Sequence, residues 1–350
     1  MSIIKPIVSW RGIFAISIVC FHFAMHAFDQ MTYAGVTFFF MLSGFLVCYN
    51  QASIQSVKKF YGRRLRRLFP LHWLSLGAII VLDLFFMHKF TYGWDLPLHV
   101  SLLQSWVPNE AVYYNYSIHS WFLSSMLFCV LATPFLFYVF SRLGLKVAWI
   151  VVTLVGIAVT VLCTIADSTL MSYYYVFPVF RAFDYSLGMM LGLSLRNRKP
   201  LSLSFGKATL VEVGALLVFA LFIAFHASGN AVASKLEVGA LWWVPMLLLI
   251  AVCALLNGSE GAIGKLLSLQ PLLWLGGISF EIYILQKAVN NLFCYVVAPF
   301  CGHFGLMIYD YSFVGTVVLL LLLSYLVHRF FTIPISRFHV NKRANRGKMQ

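Results

Sequence analysis

Two polar residues in the first apolar segment, residues 8–28, have side chains that can do chemistry inside a membrane. Arg11 and His22 are separated by ten residues, and eleven steps of about 100° bring them within about 20° of one helix face, roughly 16 Å apart along the axis. A neutral imidazole can remove a proton from a hydroxyl, and a guanidinium can stabilise negative charge on an oxygen. Because an intramembrane arginine costs roughly 2.5 to 3.5 kcal/mol on insertion scales, the pair predicts a shared functional cavity. The alternative is that Arg11 reaches to the interface and His22 packs between helices.

Four arginines occupy five positions of the basic segment at 58–73, KKFYGRRLRRLFPLHW. The planar guanidinium suits bidentate contact with phosphate. If this loop is helical, Arg63 and Arg67 share a face at i, i+4, as Arg64 and Arg67 do at i, i+3. The segment therefore predicts a docking site for a polyanionic cytosolic ligand. A solvated loop paired with anionic lipid headgroups is an equal alternative.

The segment FFFMLSGFLV at 38–47 places Ser43 and Gly44 inside an aromatic-rich apolar stretch. Two small residues permit the close approach of another helix, or of the narrow chain of a ligand. Helix packing alone would explain them. Next to the arginine loop, they could also form the wall of a channel that descends from the cytosol.

The elements that position these residues are membrane helices, because 61% of the residues are hydrophobic, only 10% are charged and the mean hydropathy is +0.87. A soluble domain carries roughly 25% charged residues. The sequence predicts an all-α polytopic integral membrane protein. Ten spans of about membrane thickness are expected, at 8–28, 33–50, 70–88, 119–141, 147–166, 175–195, 208–228, 239–256, 273–297 and 312–332.

The net charge of +14 follows the predicted topology. With the N-terminus in the cytoplasm, nearly all Lys and Arg fall on the cytoplasmic side, which predicts that both termini are cytoplasmic. The basic excess is then mainly a topology signal, and no nucleic-acid partner is expected. One transmembrane domain over 1–340 and a short basic tail over 341–350 are predicted. The seven cysteines have no metal-ligand spacing, so no metal is expected.

Three polar features lie outside these segments. The long external loop 89–119 is the best candidate for a wall that meets an external substrate. The loop 167–175 could stack on a sugar or lie at the membrane interface, and the interface is favoured. Arg181 and Asp184, at i, i+3, are expected to compensate each other within the membrane.

Five blocks of this sequence together resemble the acyltransferase 3 family of membrane O-acyltransferases. They lie in the family's order and span nearly the whole chain: RGIFAISIVCFHF, GVTFFFMLSGFLV, RRLRRLFPLHW, RAFDYSLGMMLG and LGGISFEIYILQ. The resemblance implies transfer of an acyl group, usually acetyl from cytosolic acetyl-CoA, to a hydroxyl of a sugar-containing acceptor at or beyond the outer face. It also implies that the family's arginine and histidine of the first span are Arg11 and His22, and that its Arg-x-x-Arg motif is Arg64 and Arg67.

The mechanism implied by this resemblance joins the three sets of residues. Arg64 and Arg67, with Arg63, would hold the phosphates of acetyl-CoA, the acyl donor, while its arm runs past Ser43 and Gly44. His22 would act as general base, or accept the acyl group covalently, and Arg11 would position the donor or stabilise charge. The expected location is the cell inner membrane, with acyl-CoA, a carbohydrate or glycoconjugate acceptor and membrane lipids as partners.

Two positions depart from the family pattern. Many members carry Glu where this chain has Met126, in WFLSSMLF, and the block near the ninth span usually ends in His rather than Gln286. Any role of those family residues is therefore in doubt here. The alternative function is a polytopic transporter or flippase for a glycan or a lipid-linked precursor. Such a protein more often shows internal repeats, which this sequence lacks.

Overall fold

A computed structural model describes residues 3–23, 28–51, 53–89, 92–303 and 312–335. Within these ranges the chain folds into α-helices and contains no β-strand. In chain order the helices are α1 (Lys5–Phe23), α2 (Asp29–Asn50), α3 (Val57–Phe86), α4 (Leu96–Ser101), α5 (Glu110–Tyr113), α6 (Ser120–Leu143), α7 (Leu145–Ile165), α8 (Ser168–Val176), α9 (Pro178–Leu195), α10 (Phe205–Ala227), α11 (Ala231–Leu236), α12 (Ala240–Leu255), α13 (Ala262–Leu267), α14 (Gln270–Gly277), α15 (Ser279–Leu292), α16 (Ala298–His303) and α17 (Ser312–Val327).

Eight helices of the described ranges are long and apolar enough to cross a membrane. They are Lys5–Phe23, Asp29–Asn50, Val57–Phe86, Ser120–Leu143, Leu145–Ile165, Phe205–Ala227, Ser279–Cys301 and Phe313–Ile335. The other two predicted spans, 175–195 and 239–256, fall on α9, which carries a buried ion pair, and on α12, which has 16 residues. The prediction of an all-α polytopic membrane protein is confirmed. The side on which the termini lie stays a prediction.

The chain divides into two compact units. Unit 1 comprises Met1–Gln55 and Ser124–Gly277, and unit 2 comprises Ser56–Leu123 and Ile278–Gln350. The single domain over 1–340 stays a prediction, and the predicted tail at 341–350 lies outside the described residues. Arg11, His22, Ser43 and Gly44 belong to unit 1, whereas Arg63, Arg64 and Arg67 belong to unit 2.

In unit 1, α2 packs closely along α9 because small residues line their contact. A Cβ on Gly188 would lie 1.8 Å from the carbonyl oxygen of Met41, and a Cβ on Gly192 would lie 2.5 Å from that of Phe45. Such backbone contact is typical of small residues in membrane helix pairs. In the same unit, α14 packs against α1, where a Cβ on Gly276 would lie 1.8 Å from the Val8 carbonyl oxygen.

In unit 2, α3 begins well before the predicted span. Its 30 residues give a length of about 45 Å at 1.5 Å per residue, more than the ~30 Å hydrocarbon core. The Ser56 hydroxyl caps its first turn by accepting from the Lys59 amide at 3.3 Å. Further along, Ser75 Oγ donates to the Ile284 carbonyl of α15 at 2.8 Å, and Asn291 Nδ2 donates to Asp83 Oδ1 at 3.2 Å.

The two predicted external loops contain helices. The loop at 89–119 contains α4, a 3₁₀ turn at Gln104–Trp106 and α5, and the loop at 167–175 is largely α8. Asn109 and Asp167 cap α5 and α8 through their side chains. Short capped helices satisfy backbone groups that an irregular loop would leave to water.

Candidate active site

Arg11 and His22 lie on the single unbroken helix α1, as predicted. Both side chains are half-buried. On another face of α1, Gly12 approaches the backbone of α14, where a Cβ would lie 2.8 Å from the Gly276 nitrogen, and Ser9 Oγ donates to the Leu267 carbonyl. These contacts hold the turn that carries Arg11. The prediction that both residues open into one cavity stays a prediction.

A cavity of about 170 Å³ lies beside Arg11, between the first turns of α1 and the last turn of α2. Its walls are mostly apolar, with Arg11, Tyr49 and Asn50 as the polar members. It is lined by Ile3, Ile4, Ile7, Val8, Arg11, Leu46, Tyr49 and Asn50. A pocket of apolar walls with a few convergent polar groups is the usual form of a ligand site.

Ser43 and Gly44 lie on different faces of α2. A Cβ on Gly44 would lie 2.0 Å from the Tyr185 carbonyl oxygen of α9, so the packing alternative accounts for this glycine. Ser43 is half-exposed and is seven residues before Asn50, so the two residues lie within about 20° of one helix face. The predicted contact of these two residues with a donor stays a prediction.

The arginine segment, predicted as a loop, is helical because it forms the first part of α3. Because the segment is helical, Arg67 shares a face of α3 with Arg63 and with Arg64, as the spacing predicted. Arg63 and Arg67 are exposed and Arg64 is half-buried. The guanidinium of Arg64 lies over Phe60 at 5.5 Å from the ring centroid, and that of Arg67 lies over Phe280 at 5.8 Å. No described carboxylate lies within ion-pair distance of Arg67, so its charge is open to an anionic ligand.

Arg181 and Asp184 form the buried pair that the sequence predicted. Arg181 Nη1 lies 3.0 Å from Asp184 Oδ2, with 2% and 1% of the two side chains exposed. Trp243 Nε1 donates to Asp184 Oδ1 at 2.6 Å, and Arg181 Nη2 donates to the Val238 carbonyl. Because both charges are compensated where they are buried, this confirmed pair is structural rather than a reaction centre.

Sequence reasoning did not predict two side-chain contacts of α15 in unit 2. Glu281, 2% exposed, lies with Oε1 2.9 Å from His328 Nδ1, in the π-helical turn His328–Thr332. Gln286, the position where the family usually has His, is fully buried, and its Nε2 donates to the Tyr283 carbonyl at 2.9 Å. The sequence separation of 47 between Glu281 and His328 leaves no local spacing signal for this pair. The other departure, Met126, is buried.

The segment 92–119 of unit 2, predicted to be external, is held by a polar cluster around Asp95. Asn115 Nδ2 donates to Asp95 Oδ2 at 2.7 Å, and the buried His99 makes a hydrogen bond through Nε2 to the Val112 carbonyl at 2.8 Å. Burial lowers the pKa of His99 below its ordinary value of 6.5, and the hydrogen bond to Val112 and the charge of Asp95 oppose this only in part. These contacts fix the segment, so its predicted role as a substrate wall rests on its exposed side chains.

Among the residues that the structure describes, no group of three or more His, Cys, Asp or Glu could hold a metal ion. The polar centres are instead a guanidinium beside an apolar cavity, an imidazole on the same helix and a row of arginines on α3. Together with the helical architecture, these features define a polytopic membrane protein.

The chain belongs to the acyltransferase 3 family, whose model describes an acyltransferase domain and matches residues 8–329. The family predicted from the sequence is therefore confirmed. Two relatives carry related names. One is the acyltransferase MdmB of Streptomyces mycarofaciens, 26% identical over 183 residues, which is 46% of each chain. The other is the putative acetyltransferase ORF330 of Acidianus two-tailed virus, 32% identical over 71 residues, which is 20% of this chain and 22% of that one.

The matched regions cover less than half of each relative. No solved structure matches this chain. Family membership and both names favour an acyltransferase over the transporter or flippase alternative.

Proposed function

We propose that this protein is a membrane O-acyltransferase that moves an acetyl group from cytosolic acetyl-CoA to a hydroxyl of a cell-envelope carbohydrate or glycoconjugate. The observation that carries the proposal is the placement of Arg11 and His22 on one apolar helix of a chain that belongs to an acyltransferase family. Ionisable residues within membrane helices are rare and commonly mark substrate or reaction sites. The acetyl group is supported by the name of the viral relative, a putative acetyltransferase.

In the proposed reaction His22 acts as general base. The neutral imidazole removes the proton of the acceptor hydroxyl as its oxygen attacks the thioester carbonyl carbon. The carbon–sulfur bond breaks, the acetyl group remains on the acceptor oxygen as an ester, and the imidazolium returns the proton to the departing CoA thiolate. Proton transfer of this kind contributes typically 10² to 10⁴-fold to a rate. Arg11 stabilises the negative charge on the carbonyl oxygen in the transition state.

The arginines of α3 bind the donor's phosphates in this proposal. Arg67 lies one helical turn after Arg63 and Arg64, and the three side chains are exposed or half-buried, so their guanidinium groups can reach a multiply charged ligand together. Charge-assisted hydrogen bonds from arginine to phosphate are shorter and about twice as strong as neutral ones. The lipid-headgroup alternative uses the same charges but predicts no preference for acetyl-CoA.

The proposed location is the cell inner membrane, with both termini in the cytoplasm. Its support is the charge pattern, because cytoplasmic segments of membrane proteins carry an excess of Lys and Arg. This orientation gives the arginine-rich start of α3 access to the cytosol, where acetyl-CoA is made.

Mass analysis of envelope glycans tests the proposal. Cells that lack this protein should lose one acetyl unit, 42 Da, from one glycan class, because no other enzyme is expected to acetylate that acceptor. Return of the wild-type gene should restore the unit, whereas His22→Ala, expressed and inserted to the same level, should not. Unchanged acetylation of every envelope glycan in the deleted strain would contradict a carbohydrate acceptor.

A further inference from the structure

The cavity beside Arg11 has the chemistry of a site for a chain that alternates methylene and amide groups. Isoleucine, valine and leucine residues form most of its lining, and the polar lining residues are Arg11, Tyr49 and Asn50. A side-chain carboxamide offers two N–H donors and one carbonyl acceptor, which are the complements of a secondary amide. The apolar walls suit the methylene groups on either side of such an amide.

The size of the cavity indicates that it holds a section of a ligand. Its volume of about 170 Å³ is well below the ~300 to 1,000 Å³ of pockets that enclose a whole small-molecule ligand. A long, thin arm with its bulky charged head elsewhere fits this space.

Neighbouring residues hold the Tyr49 ring and the backbone at Asn50, whereas the polar groups of these two side chains are available to a ligand. The Tyr49 ring stacks on the fully buried Phe45 ring, with centroids 4.8 Å apart. At Tyr49 the backbone of α2 packs closely against α9, since a Cβ on Gly192 would lie 3.0 Å from the Tyr49 nitrogen. Within the described ranges, neither the Tyr49 hydroxyl nor the Asn50 carboxamide makes a hydrogen bond to the protein.

We propose that Asn50 and Tyr49 bind an amide-containing arm of the acyl donor in the cavity beside Arg11, with the Asn50 carboxamide paired to an amide of the arm and the Tyr49 hydroxyl donating to a carbonyl. This inference rests on the proposed function and deepens it, because it assigns two residues to the part of the donor that carries the acyl group. In acetyl-CoA that part is the pantetheine arm, which contains two amides and ends in the thioester. Asn50 and Tyr49 are therefore binding residues, and neither takes part in proton transfer.

Two donors that share this arm test the inference. The full chain in lipid nanodiscs is assayed for KM and kcat with acetyl-CoA and with acetylpantetheine, which has the same arm and thioester but lacks the nucleotide. Asn50→Leu should raise KM about 30-fold for both donors, since two hydrogen bonds of about 1 kcal/mol each net are lost and 1.4 kcal/mol is tenfold. Tyr49→Phe, which keeps the ring on Phe45, should raise both KM values about fivefold, and kcat should change less than KM in both variants.

The matched control is Gln51→Leu, which removes the neighbouring carboxamide that does not line the cavity. It should leave both KM values unchanged. Unchanged KM in both Asn50→Leu and Tyr49→Phe would overturn the inference, and so would an increase with acetyl-CoA alone, because that pattern places the residues at the nucleotide. A wild-type protein that uses neither donor would contradict the proposed function itself, together with this inference.

Discussion

At the scale of single residues, the sequence singled out ionisable side chains in apolar segments, and the structure adds the residues around them. Arg11 and His22 stand out because ionisable groups in a membrane helix are costly. The pairing of Arg181 with Asp184 was predictable from their i, i+3 spacing, and the structure shows it. Asn50 was missed, although it lies seven residues after Ser43 on the same face of α2. Asn50 lines a cavity only because α1 packs beside the end of α2. A contact between two helices has no local sequence signal.

The arginines of α3 give a prediction at this scale. The double variant Arg64→Ala, Arg67→Ala should raise KM for acetyl-CoA about tenfold at low ionic strength, because two charge-assisted contacts to phosphate are lost. The difference from wild type should shrink as salt is added, since exposed charges are screened over about 10 Å at 0.1 M. KM for acetylpantetheine, which lacks the nucleotide phosphates, should not change.

The control for this variant is Lys58→Ala, Lys59→Ala, which removes the same number of charges from the exposed first turn of the same helix. If both double variants raise KM equally, the effect is one of general surface charge. If neither double variant raises KM, the arginines do not bind the donor, and they contribute to membrane topology or bind lipid headgroups.

At the scale of helices, the sequence predicted which segments are apolar but misplaced one helix start. The third span was expected at 70–88. In the structure Pro70 lies inside α3, which begins at Val57. The basic residues before Pro70 are good helix formers, and a Ser56 cap adds to this, so the helix continues through the proline at the loss of one hydrogen bond. This extension places the arginines on a rigid face.

The contact between α2 and α9 gives a stability prediction. Gly44→Ala should lower the free energy of unfolding by about 1 to 3 kcal/mol, because the new methyl group would meet the Tyr185 carbonyl oxygen and force the helices apart. The matched control is Gly62→Ala in α3, where a Cβ meets nothing within 4 Å. It should be neutral or stabilising by about 0.5 to 1 kcal/mol.

Thermal unfolding of the purified variants in one detergent, followed by intrinsic fluorescence, compares the two alanines directly. A Gly44→Ala protein as stable as Gly62→Ala would show that α2 and α9 do not require the small residue. The packing account of the Ser-Gly pair would then be wrong, and the interpretation of Gly44 as part of a ligand channel would gain support.

At the scale of the whole molecule, composition was sufficient to predict the class, and the topology inferred from the charge asymmetry stays a prediction. Eight described helices meet the length and hydropathy of a span. The predicted spans at 175–195 and 239–256 behave differently, because α9 contains the Arg181–Asp184 pair and α12 is short. The division into two units could not be predicted, because unit 2 joins the segment Ser56–Leu123 to the C-terminal residues. Such long-range pairing has no signature in local hydropathy.

The most direct test of the central claim is transfer of labelled acetyl by the purified protein in proteoliposomes. Acetyl-CoA labelled in its acetyl group is supplied on the side of the N-terminus, and label that leaves CoA for an acceptor hydroxyl or for water is counted. Wild type should release label, and His22→Ala should do so 100- to 10,000-fold more slowly because the general base is gone. His303→Ala, which removes an exposed histidine, should match wild type. Full activity of a folded, inserted His22→Ala protein would contradict the account.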